Sequence, residues 1–360
     1  MDTDGPLMRL IEGRGSWRNR ALNSMLRLTL GKPLRHDVDV IGMRQRYEAL
    51  DARYFQVDRL VVRERVACGG VAAEWIRVPE TRPGRTLLYL HGGSFAFRFP
   101  NAHAAFAARL CRRLGAQALI PDYRLAPEHP FPAAPDDCHA VYRWLLASGI
   151  DPKNTVLAGD SAGGNLVLVT LNRALQSDEP LPACAVLLSP AVDCTLDSLS
   201  MVDNQHCDPL FRLGDLLVLR RHYVPSPQWY THPDVSPLFA NFEGFPPLLL
   251  QAGSTEIFRD EAVRTAHKAN AAGVDVELEI WPETPHLFQV APFLPEAAQA
   301  IEHIVKFVAK RTGWEAISPA PPMASQAPDP VWERPAGAVL ARWAEFQRLR
   351  QPAAKPHSLL

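Results

Sequence analysis

What most restricts the fold of this chain is the alternation of short apolar runs with longer helical stretches. Runs at residues 86–90, 116–121, 155–158, 183–188, 248–251 and 274–281 read as buried strands. Helical spacing falls at residues 102–114, 136–148, 165–175, 260–272 and 295–310. Strands and helices in succession make βαβ units, so the expected class is α/β, with a mainly parallel sheet flanked by helices. Ahead of them, residues 60–67 and 71–78 flank Gly69-Gly70, a hairpin signal.

The alternation breaks between residues 192 and 245. That stretch holds Pro209, Pro225, Pro227, Pro233 and Pro237 and one helical piece near 213–223, and it reads as an insertion above the sheet. Residues 313–360 hold eight prolines in 48 residues, with helical character only at 336–351, so a loosely attached extension is expected. Residues 9–36 carry seven basic side chains (Arg9, Arg14, Arg18, Arg20, Arg27, Lys32, Arg35) and one acid, Glu12. Within them Trp17, Ala21, Met25 and Leu28 recur at helical spacing, widened by Leu22 and Leu26, with Arg18, Arg20 and Arg27 pointing elsewhere. Gly31 and Pro33 would end that helix. Two readings stay open: a basic amphipathic helix on a membrane surface, or a helix docked on the rest of the protein with its arginines in water.

Composition narrows the function. Lys plus Arg is 38 against 39 for Asp plus Glu, a net charge of −1, which argues against a nucleic-acid binder. Apolar residues at 47% suffice for a large core. The 33 prolines in 360 residues, about 9%, exceed the usual level of about 5% and predict many stiff turns. No apolar run approaches the roughly 20 residues of a membrane helix. The start MDTDGPLMRLIEGRG lacks the pattern of a secretory signal. Cys68, Cys111, Cys138, Cys184, Cys194 and Cys207 form no CxxC pair and read as reduced thiols, which suits a cytoplasmic protein.

The residues that carry chemistry stand after the strands. Gly159-Asp160-Ser161-Ala162-Gly163 lies between a buried strand and a helix, the G-x-S-x-G setting in which a serine sits on a sharp, strained turn. The helix that follows aims its free amides and positive dipole end at any anion forming there. His91-Gly92-Gly93-Ser94 follows an earlier strand, where glycines let main-chain amides approach an oxyanion. Gly92, Gly93 and Ala162 are the expected oxyanion donors. A serine needs a base, expected late in the chain and preceded by an acid. His286, in WPETPHLFQ after the last strand, fits that place, whereas His267 and His303 lie within helices. Glu256 and Asp260, in AGSTEIFRDEA, are the candidate acids. No HExxH or comparable ligand spacing and no phosphate-binding glycine loop is seen, so no metal or cofactor is expected.

Taken together, YLHGGSF (Tyr89 to Phe95), DYRLAPEHPFPAA (Asp122 to Ala134), GDSAGGNL (Gly159 to Leu166) and Pro285-His286 resemble the hormone-sensitive-lipase family of α/β-hydrolases, the bacterial class IV esterases. The resemblance covers about residues 60–311, and GVDVELEIWPETPH is similar to the subgroup of epsilon-lactone hydrolases and acetyl-hydrolases. It implies an α/β-hydrolase fold with a helical cap, divided into an N-terminal cap segment (1–54), core (55–191), cap insertion (192–245), core with acid and histidine (246–312) and a proline-rich extension (313–360). It implies Ser161 as nucleophile, His286 as base, and Gly92, Gly93 and Ala162 as oxyanion donors. The family's acid lies four residues before the acidic pair Asp260-Glu261, at Glu256. Ser94 stands where the family usually has a third glycine. Tyr123, Arg124 and Glu128 would brace the oxyanion loop.

The activity so implied is a serine carboxylesterase acting on short- to medium-chain acyl esters, without cofactor, from a family in which homodimers are common. A lactone hydrolase or small-molecule deacetylase is the alternative, and a serine amidase or peptidase is another. A ligand-binding receptor of the same fold, as in plant gibberellin receptors, is more remote, since those lack the histidine present here as His286. Phe95, Phe97 and Phe99 alternate beside the oxyanion loop, and with Trp17, Met25 and Phe211 they either line an acyl pocket or pack cap against core.

Overall fold

The computed structural model describes residues 8–29, 34 and 37–318. Gly31, Pro33 and the expected helix at 336–351 lie outside the described residues. Nine strands form one sheet: β1 (Met8–Leu10), β2 (Val62–Cys68), β3 (Val71–Arg77), β4 (Thr86–Leu90), β5 (Gln117–Pro121), β6 (Thr155–Asp160), β7 (Cys184–Leu188), β8 (Leu248–Gly253) and β9 (Val276–Trp281). Their order is β1-β9-β8-β7-β6-β4-β5-β3-β2, parallel throughout except where β3 meets its neighbours β2 and β5. The helices are α1 (Trp17–Thr29), α2 (Val40–Tyr54), α3 (Pro100–Leu114), α4 (Ala133–Ala147), α5 (Ala162–Gln176), α6 (Ser200–Asp203), α7 (Leu213–Tyr223), α8 (Arg259–Ala271) and α9 (Pro295–Thr312).

The central strands are apolar on both faces because both are covered. Leu88 and Leu90 of β4 point into a core shared with α4, α5 and α8. The alternate residues Leu87 and Tyr89 point into a second core against α3 and α9. This two-sided burial explains the continuous apolar runs of the sequence. Parallel register brings the strand ends level: Leu90 pairs with Gly159, Asp160 with Leu188, and Gly253 with Trp281. The loops after β4, β6, β7, β8 and β9 therefore open on one edge of the sheet, the place where α/β sheets build their sites.

Elements from both ends of the alternation pack on these loops. Val40 and Tyr47 of α2 and Leu219 of α7 surround Ala96 and Phe97 after β4. Met201 of α6 and Leu216 of α7 surround Ile257 and Phe258 after β8. Helix α2, absent from the sequence expectations, has weak apolar periodicity and is held by polar contacts instead. Its Asp51 carboxylate accepts the amides of Asn101 (2.7 Å) and Ala102 (2.9 Å), capping α3, whose own N-cap residue, Phe99, makes no side-chain bond. Strand β1 was also unmarked in the sequence; it is three exposed residues added parallel to the edge of β9.

Helix α1 docks through the Leu22 and Leu26 edge of the expected stripe and through two asparagines beside it, not through Trp17, Ala21 and Leu28. Asn19 and Asn23 are buried and both donate to the Glu283 carbonyl, at 2.8 and 2.6 Å, with Leu26 buried beside them. Trp17, Ala21 and Leu28 stay exposed. A hydropathy pattern cannot register docking that rests on amide-to-carbonyl bonds.

Replacing Asp51 with Ala would leave two helix amides without their acceptor. A loss of about 1–3 kcal/mol in unfolding free energy is expected, read from urea denaturation.

Candidate active site

Ser161 occupies the turn between β6 and α5, with φ 52° and ψ −118°, a conformation that costs a side-chain-bearing residue about 1–3 kcal/mol. The turn is pinned by main-chain bonds, Ser161 N to Leu188 O (2.8 Å) and Ala191 N to Ser161 O (3.1 Å). Side chains are forbidden on either side of it. A Cβ on Gly159 would collide with the Gly163 carbonyl, and one on Gly163 with the Leu90 carbonyl. The two glycines of the motif thus let β4, β6 and α5 meet at the serine.

The acid and histidine come from the loops after β8 and β9. Glu256 Oε2 lies 2.7 Å from His286 Nδ1, and both side chains are buried. Glu256 Oε1 accepts the Ser189 hydroxyl (2.7 Å) and the Gly253 amide. Ser189 Oγ also accepts the Leu287 amide (3.2 Å), so this serine ties the acid to the residue after the histidine. Asp260 is placed differently: it accepts the Ser200 amide and pairs with Arg259 at the start of α8. Of the two candidate acids, only Glu256 reaches the imidazole.

With Nδ1 on the carboxylate, His286 Nε2 is the nitrogen left to exchange a proton, and it is buried without a hydrogen-bond partner. No bond joins it to the Ser161 hydroxyl in this structure; such contacts are often long without substrate. Phe211 stands edge-on to the imidazole at 4.9 Å, and Phe258 lies at 5.2 Å. Both shield it from water. Asp208 holds this wall in place. Its carboxylate accepts the amides of Leu210 and Phe211 and, across to the acid loop, of Ile257. Burial raises the Asp208 pKa, while these three amides pull it down.

The oxyanion loop corrects one expectation. The Gly92 N–H donates to Asp160 Oδ1 at 3.0 Å, so it is already committed and does not face a substrate. Tyr89 donates to the same oxygen at 2.6 Å. A Cβ on Gly92 would collide with Asp160, so this glycine serves the approach of loop to carboxylate. The partly exposed Gly93 (φ 123°) and Ser94 (φ 53°) follow, and no described hydrogen bond uses their amides. Ala162, first residue of α5, contributes a helix-terminal amide. Ser94 holds the left-handed backbone that a glycine would adopt without strain. Burial raises the Asp160 carboxyl, whereas the Tyr89 hydroxyl, His91, the Gly92 amide and His286 lower it.

The expected braces divide. Tyr123 touches the loop directly, its hydroxyl on the His91 carbonyl (2.7 Å) and its ring stacked on His91. Arg124 pairs with Asp137 instead. Glu128 acts through Arg44 of α2, which binds Glu128 and also the carbonyls of Ala96 (2.7 Å) and Ala126 (2.5 Å). Phe95 stacks on Tyr223, and Phe97 packs edge-on to Tyr47, so these rings join the covering helices to the core. Asp160, Ser189, Asp208 and Arg44 were not singled out in the sequence. Only Asp160, inside the serine motif, had a signal that could have found it. Among the described residues no group of three His, Cys, Asp or Glu side chains is placed to hold a metal, and all six cysteines are free thiols.

His91 and His103 stack on each other beneath the loop, both buried, and burial lowers each pKa from 6.5 to about 4. The unfolded chain binds their protons first, so the stability they confer is present above about pH 6.5 and is lost as pH falls toward 4. Each contributes up to about 3 kcal/mol to that loss. Unfolding free energy measured in urea from pH 7 to pH 4 should fall accordingly, and His103→Gln should flatten the slope.

Comparison with known proteins agrees with this arrangement. Residues 87–290 match a family model described as alpha/beta hydrolase fold. The chain is 40% identical to an acetyl-hydrolase of Streptomyces hygroscopicus, across 69% of this chain and 83% of that protein. It is 34% identical to an esterase of Acinetobacter venetianus, across 81% of this chain and 96% of the other. The crystal structure of an esterase from the bacterial hormone-sensitive lipase family superposes with TM-score 0.77 and 38% identity, covering 84% of this chain and all of that one. The chain belongs to the hormone-sensitive-lipase family of α/β-hydrolases.

Proposed function

We propose that this protein is a serine carboxylesterase in which Ser161, His286 and Glu256 act in sequence on a carboxylic ester. The observation that carries this reading is the buried Glu256–His286 pair at 2.7 Å, with Nε2 unpaired, together with a serine on a strained turn at the same edge of the sheet. His286 Nε2 takes the proton of Ser161 as Oγ attacks the carbonyl carbon. The resulting oxyanion is met by the amides of Gly93, Ser94 and Ala162. Collapse breaks the bond to the alcohol, which leaves with the proton from His286. Water, deprotonated by the same nitrogen, then releases the acid and restores Ser161. Glu256 fixes the tautomer and stabilises the charged imidazole.

The resemblance to the family supports short- to medium-chain acyl esters as substrates. Lactones and acetylated small molecules stay within the same chemistry. The division into cap segments 1–54 and 192–245 is supported by the way α2, α6 and α7 pack on the catalytic loops. Among the described residues no helix is long and apolar enough to cross a membrane. The free cysteines support a reducing, cytoplasmic setting. A homodimer belongs to the reading only through the family.

Ser161→Ala should lower kcat by at least about 10⁴-fold, and organophosphate labelling followed by mass spectrometry should find the adduct on Ser161 in the native protein alone. Retained turnover in the variant would refute the assignment. Glu256→Gln should cost about 10⁴-fold in kcat, whereas Asp260→Asn should leave kcat within severalfold of native. Ser189→Ala removes a bond to a charged group, so kcat should fall about 10- to 100-fold with KM little changed. A series of p-nitrophenyl esters should peak at short or medium chains.

A further inference from the structure

Helix α1 buries one face and leaves an apolar ridge on the other. Its inward face carries the two asparagines on the Glu283 carbonyl together with the buried Leu26 and the half-buried Leu22, while Trp17, Ala21 and Leu28 face out. Trp17 is 70% exposed and Leu28 84% exposed. They are eleven residues apart, about three turns, so they lie one above the other, with the exposed Ala21 between them. Arg18 flanks this ridge on one side, and Arg20 and Arg27 on the other. Each donates to a backbone carbonyl, of Phe293, Gly15 and Cys207 respectively. Among the described residues no carboxylate pairs with these three arginines, nor with Arg9 or Arg14. Residues 8–29 hold five arginines against one glutamate, on a chain of net charge −1. The Arg27 contact sets the end of α1 against the segment that follows α6, beside which Leu199 and Val202 are a second exposed apolar pair, 74% and 58% exposed.

We propose that the outer face of α1 docks on an anionic phospholipid bilayer, Trp17 and Leu28 entering at headgroup level and the flanking arginines meeting phosphates. An apolar ridge bordered by unneutralised guanidinium groups is the pattern of a helix lying in the interface plane. The indole suits that depth, since its ring is apolar and its N–H can stay wet. A nucleic acid would meet the arginines, but along the ridge of Trp17, Ala21 and Leu28 it would find the indole N–H as the one polar group. The inward face of the same helix holds the loop of His286 through Glu283. Bilayer contact would therefore set the catalytic loops beside the membrane surface, where esters with an apolar chain concentrate. The binding itself does not depend on the esterase reading.

The test is co-sedimentation of the full-length native protein with vesicles of phosphatidylcholine alone and of phosphatidylcholine with phosphatidylglycerol, at low and high ionic strength. The protein should partition onto the anionic vesicles and leave them at high salt. Trp17→Glu and Leu28→Glu should each weaken partition about tenfold, with unchanged turnover of a dissolved short ester. Arg14→Gln and Arg20→Gln should each weaken it about fivefold. Should the glutamate variants fail to fold, the arginine variants and the salt titration decide. Equal binding to both vesicle types, no binding to either, or partition unaffected by the variants would overturn the proposal. A failure of Ser161→Ala to abolish turnover would refute the esterase reading and leave this result untouched.

Discussion

The strained turn at Ser161 is the constraint around which the site is built. A residue with a side chain holds φ 52° there only because its surroundings leave no alternative. Leu188 and Ala191 bind its main chain on one side, and the carbonyls of Leu90 and Gly163 leave no room for a Cβ on the other. Leu90 and Leu188 are the ends of β4 and β7, and Gly163 opens α5, so the turn is held by the sheet and the helix packed on it. The same crowding places Asp160 where its carboxylate accepts the Gly92 amide and the Tyr89 hydroxyl. One close approach of three elements therefore fixes both the Ser161 turn and the start of the loop after β4.

The loops on the sheet edge are in turn held by parts of the chain far away in sequence. Arg44 of α2 grips the carbonyls of Ala96 and Ala126, Asn19 and Asn23 of α1 hold Glu283, and Asp208 holds Ile257. Each of these bonds ends on a main-chain carbonyl or amide of a catalytic loop, where loop sequence matters little and loop position matters most. Preorganised donors act only when fixed to within a fraction of an ångström, and these polar tethers supply that fixity from above the sheet.

How much of this was legible differs by element. Runs buried on both faces, such as Leu87 to Leu90, announce themselves by composition, and the strand-to-helix passage at Ser161 is marked by its glycines. His286 follows from chain order, which leaves Glu256 and Asp260 open as its acid, and the resemblance points to Glu256. Gly92 was misjudged because a glycine beside the site has two uses, as a free amide or as room for a neighbour, and spacing cannot separate them. Helix α2 was missed because its apolar periodicity is weak and its anchors Asp51 and Arg44 reach main-chain groups and a distant Glu128, none of which has a sequence signature. For α1 the sequence left two readings open, because the asparagine bonds that hold the helix and turn Trp17 and Leu28 outward have no hydropathy signature.

The sequence by itself determined the alternation of strands and helices and the sharp turn at Ser161, because each depends on neighbours within a few residues. The tertiary structure decided which acid meets His286, which amide of the loop is left free and which side of α1 meets solvent. Those choices depend on atoms as far as 264 residues away along the chain, as with Asn19 on Glu283. Only folding sets such distances, and the short range of a hydrogen bond makes them decisive.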